Sequence, residues 1–293
     1  MERHLTDLEH DRFGLKTIFH VIIGIAIFPV SHILASLPFA FIYSEEASLP
    51  LSLLMSIGAP ILKVAILLLF IYFYVTKILK KTLPEFRICK PLNAAVWTIC
   101  AIALPLCVSG FFILLIPGTF SVTGLSSEQI ILRIVDGILT ICLVAAITEE
   151  VIYRGFIMRL LEKRWNKYIA IIIPSLFFGF MHIFNMDNPN IVDILMLMIA
   201  GTSVGIMFSL IVFQSGSVWP SAIVHGIWNL IIDSGILRIG NESEEAIFTY
   251  TIHSNSTLIT GGAFGIDASI PALIGYIGVI ILAIVLHRKN LRH

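Results

Sequence analysis

The chain contains eight long apolar stretches separated by shorter polar segments. They lie at about residues 17–43, 50–76, 93–117, 130–158, 168–184, 192–213, 218–237 and 269–287. Each has, or nearly has, the roughly 20 residues that a helix needs to cross the hydrocarbon core of a bilayer. Open strands would leave backbone groups unpaired in lipid, so helices are expected. The chain is therefore predicted to be an all-α membrane bundle of about eight transmembrane helices.

The composition excludes a water-soluble globular protein. Only 13% of the residues are charged and 57% are hydrophobic, whereas a soluble domain carries about 25% charged residues. The formal net charge is zero, and the absence of a basic tract argues against nucleic acid as a partner. No repeat or soluble domain is visible, so residues 1–293 are predicted to form a single integral domain in contact with the lipid bilayer.

The distribution of lysine and arginine predicts the orientation of the bundle. Positive residues occur before the first stretch, in two of the loops and after the last stretch: Arg3, Arg12, Lys16, Lys77, Lys80, Lys81, Arg87, Lys90, Arg159, Lys163, Arg164, Lys167, Arg288, Lys289 and Arg292. The loops at 44–49, 118–129 and 185–191 have none, and the segment 238–268 has only Arg238. This alternation predicts a multi-pass protein of the cell membrane with both termini in the cytoplasm.

Three polar groups interrupt the apolar stretches, and the first is Glu149-Glu-Val-Ile-Tyr-Arg154. Charges at bilayer depth cost roughly 2.5–3.5 kcal/mol each, so they normally face a protein interior or a water-filled cavity. Glu150 and Arg154 are four residues apart, which favours an ion pair on one helix face. Glu149 is offset by about 100° from Glu150. It is therefore predicted to face a cavity as a general base, with an interfacial salt-bridge cluster as the alternative.

The second polar group is Phe178-Gly-Phe-Met-His182. A lone histidine near a helix end is more often a capping or core residue, but its depth favours another interpretation. Glu149 and His182 are about equally far along the chain from the charged hairpin 159–167, which joins two antiparallel helices. With a constant rise of about 1.5 Å per residue, the two side chains lie at the same level. Gly179 would allow two helices to approach closely.

The third polar group is His225-Gly-Ile-Trp-Asn229, and Asp233 follows one turn later. His225, Asn229 and Asp233 are spaced by four residues, so they form a polar stripe on one helix face. Such a stripe would be costly against lipid, so it is predicted to face the bundle. An imidazole and a carboxamide on successive turns can donate two hydrogen bonds to one oxyanion. A purely structural hydrogen-bonded strip between helices is the alternative.

Together these motifs carry a resemblance to a known family. Glu-Glu-x-x-x-Arg at 149–154, Phe-x-x-x-His at 178–182 and His-x-x-x-Asn at 225–229 follow one another on separate apolar helices. This arrangement resembles the CAAX prenyl protease and bacteriocin-processing family of intramembrane proteases, also called the Abi family. The resemblance covers about 149–233, within a motif-bearing core at about 130–237.

The resemblance implies hydrolysis of a peptide bond in a membrane-associated peptide or protein. Glu149 and His182 would activate a water, and His225 and Asn229 would stabilise the oxyanion. The supporting residues would be Glu150, Arg154 and Phe178. The family has been described both as metalloproteases and as metal-independent glutamate proteases, so the resemblance leaves both mechanisms open.

Three alternatives follow from the same polar core. In a metal-dependent version, a divalent metal such as zinc would be held by Glu149, His182 and His225, because two histidines and a carboxylate with an open position form a catalytic zinc site. A non-enzymatic immunity or chaperone protein would keep the core only to bind a peptide. An ion or proton pathway is the third, and the lack of a second symmetric half argues against it.

Other polar residues lead to smaller predictions. Lys63 lies in the middle of a span and is expected to pair with an acidic group, to line a cavity or to be neutral. Arg133 and Asp136 are expected to pair with each other at the outer end of the fourth span. Asp193 is predicted to cap the sixth span, and Asp267 is expected on a solvated outer surface.

Overall fold

The computed structural model describes residues 14–42, 47–91, 94–186 and 188–290. Its helices are α1 (Leu15–Ala40), α2 (Leu49–Phe73), α3 (Ala94–Leu115), α4 (Ser127–Arg164), α5 (Lys167–His182), α6 (Ile191–Ser215), α7 (Trp219–Ile232), α8 (Thr257–Thr260) and α9 (Ile270–Asn290). Three short strands are β1 (Gly118–Val122), β2 (Leu237–Gly240) and β3 (Phe248–Ile252). Arg3, Arg12 and Arg292, which contributed to the predicted orientation, lie outside the described residues.

Seven of these helices are long and apolar enough to cross a membrane, which confirms the predicted all-α, multi-pass bundle. They are α1 to α6 and α9. The eighth predicted stretch, 218–237, is the 14-residue helix α7. At about 1.5 Å per residue it is shorter than the hydrocarbon core. It packs against α3, α4 and α6 and buries eight of its residues, so α7 lies inside the bundle.

Helix α4 extends beyond the predicted stretch 130–158 at both ends and stops at Arg164. The predicted hairpin 159–167 is therefore reduced to two residues, Trp165 and Asn166. The Asn166 side chain accepts hydrogen bonds from two backbone N–H groups in the first turn of α5. This cap fixes where α5 begins, and the short turn keeps α4 and α5 antiparallel.

A three-stranded sheet, which the sequence did not predict, lies at one end of the bundle. The central strand β3 pairs antiparallel with β1 and parallel with β2. The Tyr250 hydroxyl donates a 2.8 Å hydrogen bond to the carbonyl of Ile116, just after α3. The strands have only four or five residues, so their alternation does not stand out against the neighbouring apolar stretches.

One of the smaller predictions was wrong, and another was confirmed in part. Arg133 forms its ion pair with Glu245, at 3.5 Å, because the segment that carries Glu245 folds back onto the outer end of α4. The predicted capping role of Asp193 is confirmed in part, because Asn190 is the N-cap of α6 and Asp193, the third residue of the helix, completes a capping box with it. The Asp193 carboxylate accepts one hydrogen bond from the backbone N–H of Asn190 and another from that of Ala263.

Helices α5 and α6 pack closely through small residues. A Cβ atom added at Gly201 would lie 2.8 Å from the Cα atom of Gly179, and one added at Gly205 would lie 2.8 Å from the Cα atom of Ser175. Gly179 does permit a close helix approach, but its partner is α6 and not the helix that carries Glu149. This contact fixes the position of the helix that carries His182.

We expect Gly201→Leu to destabilise the protein by about 1–3 kcal/mol, because a larger side chain would force α5 and α6 apart. The free energy of unfolding in detergent micelles measures this change. Gly278→Leu in α9 is the matched control, since an added Cβ at Gly278 meets nothing within 4 Å. Equal stability of the two variants would contradict the close packing.

Candidate active site

A cavity of about 450 Å³ lies between α4, α5, α6, α7 and α9. The predicted residues that line it are Glu149, Phe178, His182, His225 and Asn229. The three polar groups of the sequence therefore meet at one place, although they lie on three separate helices. Polar and apolar residues share the walls, which suits a site that admits both water and a peptide.

Glu149 and the two histidines line this cavity together. The Nε2 atom of His225 lies 4.0 Å from Oε2 of Glu149. The Phe178 ring lies 4.4 Å from the His182 ring and 6.0 Å from the His225 ring, centre to centre. Phe178 thus packs against both imidazoles and restricts how their rings can turn.

The two adjacent glutamates have different surroundings, as predicted. Glu150 and Arg154 form an ion pair of 2.9 Å and are 0% and 1% exposed. The Glu149 side chain is 17% exposed and lines the cavity. The turn that carries the ion pair, Glu150–Ile157, is π-helical, a distortion that is frequent at functional sites.

Glu150 connects the ion pair to the histidine of α7. Its Oε1 atom lies 3.2 Å from Nδ1 of His225, and its Oε2 atom accepts a hydrogen bond from the Ser221 hydroxyl. Sequence reasoning missed Ser221, although it lies four residues before His225 and extends the polar stripe of α7 by one turn. The carboxylate of Glu150 is thus satisfied by groups on two helices, which holds α4 and α7 in register.

The hydrogen bonds of the two histidines define their tautomers. Nδ1 of His182 lies 2.7 Å from the carbonyl oxygen of Phe178, which can only accept, so Nδ1 carries a proton. In the neutral ring, Nε2 of His182 is then an acceptor. For His225, the carboxylate of Glu150 likewise places a proton on Nδ1. The Nε2 atom of His225 faces Glu149.

The Asn229 side chain is held in place by the backbone of α4. Its Nδ2 atom donates a 3.0 Å hydrogen bond to the carbonyl of Ile141. That carbonyl lies in the π-helical stretch Gly137–Val144, where the helical hydrogen bonds are rearranged. One amide hydrogen of Asn229 is therefore engaged.

Asp267 is part of the cavity wall, so its predicted place on a solvated surface was wrong. Its Oδ1 atom accepts a 2.6 Å hydrogen bond from Nε1 of Trp228, and its carboxyl group is hydrogen-bonded to that of Asp233. Burial raises the pKa of Asp267 above its ordinary value. Two carboxyl groups in contact share a proton. No sequence pattern near Asp267 predicts this position, because it depends on how the 262–268 segment folds onto the polar stripe of α7.

The predicted metal ligands, Glu149, His182 and His225, line the same cavity. Within the described ranges, however, no group of three or more His, Cys, Asp or Glu side chains is close enough to hold a metal ion. The donors in this arrangement therefore do not fit a bound metal, and the metal site stays a prediction.

Lys63 lines a second cavity, of about 650 Å³, between α1, α2 and α4. Its ammonium group lies 4.6 Å from the centre of the Phe28 ring, and it interacts electrostatically with Glu149. The expected lining of a cavity is therefore observed, and the acidic group with which Lys63 interacts is Glu149.

The comparison with protein families agrees with the site. Residues 132–231 match the family model described as type II CAAX prenyl endopeptidase Rce1-like. The match contains all three motifs and covers about a third of the 293 residues. A search of curated proteins found no match. Over residues 132–231, the chain therefore carries a domain of the Rce1-like family, a family of CAAX-type proteases.

Proposed function

We propose that this membrane protein is an intramembrane endopeptidase in which Glu149 and His182 activate the attacking water. The observation that supports this is the convergence of Glu149, His182 and His225 on one cavity within the segment that matches the family. The substrate would be a peptide or protein held at or in the lipid bilayer. The family match supports the reaction class, and the geometry of the cavity supports the roles assigned to the residues.

The surroundings of Glu149 suit it to hold a water. Its Oε2 atom is buried and has no hydrogen-bond partner in the part of the chain that the structure describes. A buried carboxylate oxygen normally has a partner, and a water would supply one. Since Nε2 of neutral His182 is also an acceptor, one water can donate its two hydrogens to Glu149 and His182. Its lone pair is then directed at the carbonyl carbon of a bound peptide.

The reaction balances with these groups alone. The water oxygen bonds to the carbonyl carbon while Glu149 takes a proton, and a tetrahedral intermediate forms. The negative oxygen would accept hydrogen bonds from the second amide hydrogen of Asn229 and from Nε2 of His225 when that ring carries both protons. The C–N bond then breaks, and the proton held by Glu149 passes to the leaving amine. The products are a new carboxyl terminus and a new amino terminus.

Cleavage of a membrane-anchored peptide by the purified protein tests this proposal. We expect wild-type protein to yield one pair of products by mass spectrometry, and Glu149→Ala and His182→Ala to yield almost none. Equal activity in all three proteins would contradict the assignment. Protection of cells by the alanine variants, with no product from any protein, would favour the immunity or chaperone alternative.

A metal-dependent version is tested separately. If zinc held by Glu149, His182 and His225 supplied a Lewis acid and a bound water, a chelator should remove activity and zinc should restore it. Metal analysis of the purified protein gives an independent readout. Activity that is indifferent to chelators favours the glutamate–histidine mechanism proposed above.

A further inference from the structure

In the part of the chain that the structure describes, the residues that line the cavity extend to one end of the bundle. The cavity wall continues from His225 along α7 to Asp233 and then to residues that lie outside the membrane-spanning helices. These are Asn185 after α5, Arg238 in β2, and Ala263, Phe264 and Asp267 before α9. They flank the ends of α5 and α7 and the beginning of α9, which lie at the same end of the bundle. Ala263 is exposed, so the cavity opens there.

The opposite end of the bundle is closed by a packed segment, 79–91. The backbone N–H of Val218, just before α7, donates a 2.9 Å hydrogen bond to the carbonyl of Arg87. Arg87 forms a 2.9 Å ion pair with Glu162, near the end of α4. Nε of Arg159 donates a 2.8 Å hydrogen bond to the carbonyl of Glu85. These contacts connect the segment to both α4 and α7, and none of its residues lines the cavity.

The two ends also differ in charge. At the closed end, the described segments carry Lys77, Lys80, Lys81, Arg87, Lys90, Arg159, Lys163, Arg164, Lys167, Arg288 and Lys289. At the open end, the described lysines and arginines are Arg133 and Arg238. Lysine and arginine accumulate on the cytoplasmic side of membrane proteins, so the closed end is the cytoplasmic one.

We infer that the cavity opens on the non-cytoplasmic face of the membrane, and that the substrate is a peptide segment presented on that face. The inference rests on the proposed function and adds the side from which the substrate enters. The most direct path for a cytoplasmic tail is blocked by the 79–91 segment, whereas an exported or membrane-anchored peptide meets the open mouth. The substrate class is therefore a segment exposed at the outer surface of the bilayer.

The length of the path sets the position of the cut. Asp233, where the cavity wall leaves α7, lies eight residues after His225, which corresponds to about 12 Å along the helix. An extended peptide advances by about 3.3 Å per residue. The bond that is cut should thus lie at least about four residues from the mouth.

Labelling of single cysteines tests the orientation without any cleavage assay. The four native cysteines, Cys89, Cys100, Cys107 and Cys142, are free and are first replaced by serine. In intact cells, a membrane-impermeant maleimide should label Ala263→Cys but should label Lys90→Cys only after permeabilisation. Both positions are exposed. Glu244→Cys, in the same outer segment as Ala263, reports the side if Ala263→Cys does not fold. The reverse labelling pattern would overturn the inference.

A second experiment tests the substrate side. Two reporters carry the same peptide on the same anchor helix, one on its non-cytoplasmic side and the other on its cytoplasmic side. Each reporter is expressed with the wild-type protein. We expect cleavage of the outer reporter only, and cleavage of the inner one would overturn the inference. If purified protein cuts the peptide but Ala263→Cys is cytoplasmic, the proposed function stands and this inference fails. If Ala263→Cys is outside but no cleavage occurs in detergent, the proposed function fails.

Discussion

Glu149→Gln should reduce the rate of peptide cleavage by roughly 10²- to 10⁴-fold, the usual contribution of a general base. Glutamine keeps the size of the side chain and its place on the cavity wall, but it cannot take a proton from the attacking water. His182→Gln should cause a large loss as well, because the second acceptor for that water changes. The initial rate of product formation in detergent measures both effects.

Glu128→Gln is the matched control for this loss. Glu128 lies on the same helix, α4, in its exposed first turn and far from the cavity. We expect Glu128→Gln to cleave at the wild-type rate. If Glu149→Gln and Glu128→Gln were equally active, Glu149 would not be the general base, and another group would have to activate the water.

Arg154→Met should lower the free energy of unfolding by about 3–5 kcal/mol, because it leaves the carboxylate of Glu150 buried without its ion-pair partner. The two side chains are essentially inaccessible to solvent. Arg133→Met, at the exposed end of α4, is the matched control. Its partner Glu245 is 84% exposed, and surface ion pairs contribute at most about 1 kcal/mol. Unfolding in detergent micelles measures both variants.

The double variant Glu150→Leu with Arg154→Met separates stability from chemistry. Removing both charges should recover much of the stability lost in Arg154→Met, since no unpaired charge stays buried. Activity should remain low, because the Nδ1 atom of His225 loses its acceptor on Glu150. A double variant that cleaves at the wild-type rate would show that Glu150 does not orient His225.

The bundle and much of the site could be predicted because a bilayer restricts what a chain can do. The length of the apolar stretches alone indicated the helices. The free-energy cost of placing charge in lipid indicated that Glu149, Glu150 and Arg154 face inward. The spacing of Glu150 and Arg154 predicted their ion pair. Equal distances from one hairpin placed Glu149 and His182 at one level, and the structure shows both on the same cavity.

The features that sequence did not predict depend on contacts between distant segments. The sheet pairs strands that lie more than 100 residues apart, such as β1 and β3. Asp267 reaches the cavity only because its loop folds over α7 and α6. Asp193 shares the capping of α6 with Asn190, but its other carboxylate oxygen also accepts a hydrogen bond from the backbone N–H of Ala263. None of these contacts leaves a pattern within a short window of the chain.

In the proposed mechanism, residues from three helices of the bundle position one water against a peptide bond. A cryo-electron-microscopy structure of the Glu149→Gln variant in lipid, with an uncleaved peptide bound, would show where that bond lies. We expect the carbonyl carbon of that bond within roughly 3.5 Å of a water held by His182, with its oxygen directed at His225 and Asn229. A peptide bound away from this cavity, or His182 and His225 facing different sides of the protein, would contradict this mechanism.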